Sequence, residues 1–319
     1  HLGGAINSLL GQWLALPHNS LRVLVACGTA GGISAAFHTP LAGIIFAMEV
    51  IVAEYSVVGF IPVILAAVAA TAVSLQLSPD SALFSLPSLQ LNSLWELPYI
   101  MLLGLCCGMA VAAFIRLSSL AAQTGRWPVT LRFALAGAIT GSLALAVPEI
   151  LGIGYDTLEL TLRGELALTA LLTIALCKLV ATAVSCGVGM PIGLIGPNLL
   201  IGACIGGALG ALGSIAMPDL ASDPILYIVI GMGAAMGAVL NAPLAAMLAV
   251  VELTQTIGIS MAAMLAIVTA TLTNSGLFRQ RSAHQSVLFQ LQRRVPEDPL
   301  NQMSVSYTHL TLPTIPRWW

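Results

Sequence analysis

The residues from Ser185 to Pro197 (Ser-Cys-Gly-Val-Gly-Met-Pro-Ile-Gly-Leu-Ile-Gly-Pro) place four glycines and two prolines inside Val184–Pro218, a stretch without a charged residue. Glycine and proline at that density interrupt a helix. Irregular backbone at membrane depth is tolerated only where it lines a cavity or is buried in protein. A helix that starts after such a loop turns its free backbone N–H groups, and the positive end of its dipole, toward the protein interior. That terminus can hold an anion without a cationic side chain, and partial charges allow the ion to leave again. A glycine-rich packing kink would have the same composition. The residues alone leave these two readings level.

Carboxylates are the other candidates for chemistry. Glu49 and Glu252 lie in apolar surroundings, where an ionisable residue suggests function, such as a proton relay. They are also 203 residues apart, and so are many of their neighbours: Gly28 and Gly231, Ala35 and Ala238, Pro40-Leu41-Ala42 and Pro243-Leu244-Ala245, Gly3-Gly4-Ala5 and Gly206-Gly207-Ala208. A duplicated pair at the ends of two short helices fits a structural role better than a relay, with bonds to backbone N–H groups across the junction. Internal repeats interrupted by Gly and Pro at matching places are how many transport proteins are built.

These residues need helices that cross a bilayer, and the composition supplies them. The chain of 319 residues is 58% hydrophobic and 8% charged, against roughly a quarter charged in soluble proteins. Tyr55–Pro79, Pro224–Val251 and Leu253–Phe278 also lack charge, and each is long enough for the ~20 residues that span a hydrocarbon core. Helical segments are expected over 1–16, 21–37, 40–53, 57–76, 95–122, 129–147, 165–186, 194–216, 224–240, 243–256 and 259–277. The shortest cannot cross upright and should be tilted or re-entrant. Tyr155 and Asp156 fall in a stretch expected as exposed loop. Lys178, alone in an apolar helix, reads as snorkelling or pairing with Glu149; attraction of an anion is the sharper alternative.

Several classes are excluded or unsupported. A net charge of −2 gives no footprint for nucleic acid. The six cysteines show no CxxC and no metal-ligand spacing, so they read as packed free thiols. No Ser-His-Asp set, phosphate loop or HExxH is present, so neither an enzyme nor a cofactor or metal site is expected.

Gly193-Leu194-Ile195-Gly196-Pro197 resembles the GxFxP anion-binding motif of the CLC family of chloride channels and proton-coupled chloride exchangers, with Ile195 where the family has Phe. Gly28–Glu49 resembles the family's GxAAGxxAAFxAPLAGxxFxxE segment. Leu151-Gly152-Ile153-Gly154-Tyr155 is similar to its mid-chain glycine-rich loop. The resemblance runs over about residues 1–295.

The resemblance implies an all-α polytopic membrane protein with the CLC-type inverted-repeat fold, in a bacterial plasma membrane and paired as a homodimer. It implies chloride, the transported ligand, bound by the N–H groups of Leu194 and Ile195 within Gly193–Pro197. The central tyrosine of the family aligns with His284. Two loops, GSGIP and the gate-bearing GREGP, belong upstream of His1, so the first third of the family domain is expected to be missing. Val50 stands where many exchangers carry a second, proton-relaying glutamate. That leans toward a channel, with proton-coupled exchange, fluoride or nitrate selectivity, and a non-conducting scaffold as alternatives. The expected organisation is a transmembrane domain over 1–278, a final short helix and the start of a cytoplasmic tail over 279–303, and a non-native tail over 304–319.

Overall fold

The structure, a computed structural model, describes residues 2–53, 57–77, 89–218, 221–280 and 283, and every regular element among them is helical. The first repeat comprises α1 (Leu2–Trp13), α2 (His18–Phe37), α3 (Pro40–Phe46), a π-helical continuation (Ala47–Val52) and α4 (Val57–Leu77). Between the repeats lie α5 (Leu97–Ala122), α6 (Val129–Ala146), α7 (Tyr155–Leu162) and α8 (Leu168–Gly187). The second repeat comprises α9 (Ile195–Ala216), α10 (Pro224–Leu240), α11 (Pro243–Thr254) and α12 (Ser260–Leu272). His284 and the stretches assigned to a non-native tail and most of a cytoplasmic tail lie outside the described residues.

Among the described residues, seven helices are long and apolar enough to cross a membrane. The twelve residues of α11 reach only about 18 Å at 1.5 Å per residue, too short to cross a hydrocarbon core of ~30 Å. Large apolar side chains stay exposed on α4 and α6, including Ile61, Leu65, Val68 and Leu145, a surface that lipid or further protein can cover. By contrast α10 is enclosed: every residue from Leu226 to Leu240 is buried. It forms the core between α5, α9, α11 and α12.

Equivalent residues of the two repeats do equivalent work. Where α1 crosses α2, a β-carbon on Gly28 would overlap the Gly3 carbonyl. Where α9 crosses α10, one on Gly231 would overlap the Gly202 carbonyl. The glycines therefore set backbone-to-backbone contact at both crossings. His38 (φ 54°) ends α2 and Asn241 (φ 54°) ends α10 in the left-handed conformation, two residues before Pro40 and Pro243 begin the next helices. The next left-handed residues, Ala53 and Gln255, follow Glu49 by four residues and Glu252 by three. The wider π-helical turn takes up this one extra residue in the first copy.

One helix departs from the sequence reading. Tyr155 and Asp156 are not exposed loop but the first turn of α7, which follows Gly154 at φ 92°. Asp156 is exposed, whereas Tyr155 is half-buried against the core. Charged Asp156, Glu159 and Arg163 obscure a narrow inner face of Thr157, Leu158, Thr161 and Leu162, all buried.

Gly231→Val should force α9 and α10 apart and lower stability by about 3 kcal/mol, the upper range for overpacking. Gly137→Val on α6, where nothing lies within 4 Å of an added β-carbon, should be close to neutral. Thermal unfolding of the two variants in detergent checks the contrast.

Candidate functional site

The loop Ser185–Pro197 leads from α8 to the start of α9. Gly189, at φ 87°, turns the chain out of α8, and Met190 N–H donates to the Ser185 carbonyl at 3.1 Å. Leu194, buried, is the N-cap of α9, and no side chain caps the helix. The N–H groups of Leu194, Ile195 and Gly196 have no acceptor among the described residues. Pro197 has no N–H. Asn198, fully buried, closes the turn by donating from Nδ2 to the Leu194 carbonyl at 2.7 Å. Three main-chain donors at a helix N-terminus form a concave, positively polarised site suited to a small anion.

Two elements wall this terminus. On one side is the loop 150–154: a β-carbon on Gly196 would come within 2.8 Å of the Ile153 Cγ2, and Gly154 packs on Leu200. Lys178 of α8 holds that loop, its Nζ donating to the carbonyls of Ile150 (2.7 Å) and Gly152 (2.8 Å). Lys178 is 3% exposed, so it does not snorkel, and it makes no ion pair with Glu149. On the other side an almost wholly apolar cavity lies between the repeats, lined by Phe37, Ala42 and Phe46 from the first and by Ile195, Met232 and Ala245 from the second.

The paired carboxylates lie elsewhere, at the junction of the repeats. Glu252 accepts from Leu41 N–H at 2.9 Å and from Ala42 N–H at 2.8 Å. Glu49 accepts from Ala245 N–H at 2.9 Å and from Leu244 N–H at 3.4 Å. Pro40 and Pro243 occupy the first helical position of α3 and α11 and have no N–H, so the next two groups are the first free donors. Neither Thr39 nor Ala242 caps its own helix with a side chain. Each carboxylate thus offers two oxygens to two donors, in both directions across the junction.

The structure therefore brings Gly193–Pro197 together at one terminus and keeps Gly28, Pro40, Glu49, Gly231, Pro243 and Glu252 in the frame around it. Val50 sits in the π-helical turn and packs against the main core, where it can carry no proton. Among the described residues no group of His, Cys, Asp and Glu could hold a metal ion. One buried carboxylate escaped the sequence reading: Glu96, 1% exposed, accepts from the hydroxyls of Ser222 (2.9 Å) and Tyr227 (2.8 Å). Its lone charge at the edge of an apolar segment was the available signal.

A sequence model described as voltage gated chloride channel matches residues 1–275. A ClcB-like chloride channel protein of Ralstonia nicotianae is 34% identical over 280 residues, covering 85% of this chain and 65% of its own. The H(+)/Cl(-) exchange transporter ClcA of Vibrio vulnificus is 31% identical, over 79% of this chain and 56% of its own. The chain thus spans between about half and two thirds of the length of these relatives. Among solved structures, a slow cyanobacterial Cl-/H+ antiporter superposes with a TM-score of 0.82 at 22% identity, covering 92% of this chain and 70% of that one. A CLC-type fluoride/proton antiporter gives 0.71 at 21% identity, over 85% and 67%. These likenesses show the all-helical, inverted-repeat membrane fold.

Replacing Glu252 by Ala leaves the Leu41 and Ala42 N–H groups without an acceptor and should lower stability by about 2–3 kcal/mol. Glu252→Gln, whose amide oxygen still accepts one bond, should lose about half as much. Melting temperatures of the two variants in detergent give the order.

Proposed function

Because the chain belongs to the voltage gated chloride channel (CLC) family, we propose that it carries chloride across a bacterial plasma membrane, holding the ion at the start of α9. The observation that carries this reading is the set of unengaged N–H groups at Leu194, Ile195 and Gly196, at a helix start walled by the loop 150–154 and by the cavity between the repeats. A chloride that has shed part of its water can be held there by charge-assisted hydrogen bonds. The absence of a cation in direct contact keeps binding weak enough for release. Ile195 in place of an aromatic residue leaves this function intact, because the donors are main-chain. The apolar cavity beside Ile195, at the meeting of the repeats, is where two such repeats would form a pathway. The transporting unit would be a homodimer, with chloride as its ligand and neither a metal nor a cofactor involved.

A second reading, proton-coupled exchange, is favoured by the likeness to the H(+)/Cl(-) exchange transporter of Vibrio vulnificus. Val50 weighs against it, since that position cannot relay a proton. Reversal potentials of the reconstituted full-length protein across a pH gradient separate the two. A channel's potential follows chloride alone, whereas an exchanger's shifts with pH.

The binding site itself is tested by replacing the Ile195 amide with an ester, which removes one N–H and leaves the side chain unchanged. Chloride affinity of the full-length protein should fall about tenfold, equivalent to ~1.4 kcal/mol. Ile195→Phe should keep affinity within about twofold. Calorimetric titration with chloride measures both.

A further inference from the structure

Lys178 is the only charged residue in the twenty residues of α8, and it is buried. Its two hydrogen bonds run to carbonyls, which satisfy protons but carry no net charge. Among the described residues the one ion pair joins Arg163 to Glu159 on the surface, so no carboxylate neutralises this ammonium. A buried charge without a counter-charge is costly, and a neutral donor such as Gln could bond the same loop without that cost. The carbonyls it holds, at Ile150 and Gly152, lie in the same loop as Ile153 and just before it, and Ile153 limits the space for a β-carbon on Gly196. Cation, loop and helix start are therefore one contiguous unit. A second cation, Arg132, lies beside Gly189 in the other loop, Ser185–Pro197, which leads into α9, and its buried Nε has no acceptor.

We infer that Lys178 is a positioning residue for the transported anion. It clamps the loop 150–154 against the start of α9, and its charge is balanced by the ion held there instead of by a carboxylate. This rests on the anion reading of that terminus. Separation from the ion by one layer of backbone lets the ammonium raise local anion occupancy without gripping the ion directly. A purely mechanical tether would need the hydrogen bonds but not the charge.

The test uses the full-length protein with Lys178→Met, Lys178→Gln and Lys178→Arg. Chloride binding is followed by calorimetry, and melting temperature is compared in chloride and in gluconate. The expected result is affinity lower by about tenfold or more in Met and Gln, retained within about threefold in Arg, with most of the chloride-dependent rise in Tm lost in the neutral variants. Unchanged chloride affinity in Met or Gln, with Tm lowered equally in both salts, would mean a mechanical tether and overturn the inference. A Gln variant that keeps a donor yet folds in neither salt overturns it too. If the unsubstituted protein binds no chloride, the anion reading itself falls and takes this inference with it.

Discussion

A helix that begins with proline leaves its next two N–H groups without a partner inside the helix. In this protein the partner is a carboxylate carried by the other half of the chain. Glu252 closes the start of α3, and Glu49 closes the start of α11. Neither repeat can complete its own short helix, so each is finished only when the two are docked. Four charge-assisted hydrogen bonds, each worth roughly 1–1.5 kcal/mol at these partly exposed positions, hold the junction beside which the glycine crossings and the apolar cavity lie.

That junction gives meaning to the start of α9. Two helix starts in the same interior, α3 and α11, are closed by carboxylates, while α9 begins at Leu194-Ile195-Gly196 with neither a side-chain cap nor a trans carboxylate. Free donors at a helix start need water or a ligand to use them. That contrast, together with the loop 150–154 and the apolar cavity that wall the start of α9, is the physical basis for placing an anion there and not at α3 or α11. It also explains why the glutamates, at first sight the reactive groups, serve as scaffold: their lone pairs are already engaged by backbone.

Much of this was legible in the sequence because the repeat is written in residues with strict backbone consequences. Gly28 and Gly231 mark close crossings, Pro40 and Pro243 mark helix starts, and Glu49 and Glu252 mark the far ends. Their register predicts the architecture. Bonds across the junction were legible, but not their donors, since spacing along the chain does not say that Leu41 and Ala42 serve Glu252 while Leu244 and Ala245 serve Glu49. The helix α7 was hidden by its surface charges. The partners of Lys178 could not be read either, because they are carbonyls of a distant loop and have no signature in residue type. Glu96 shows the opposite case: a charge in an apolar segment was visible, but its hydroxyl partners Ser222 and Tyr227 lie more than a hundred residues away.

The central claim, an anion held by main-chain donors at the start of α9, is tested most directly by anomalous diffraction from crystals of the full-length protein grown in bromide. The account predicts an anomalous peak within hydrogen-bonding distance of the Leu194 and Ile195 nitrogens, about 3.2–3.5 Å for so large an ion. Bromide peaks elsewhere in the protein, with none at this terminus, would contradict it.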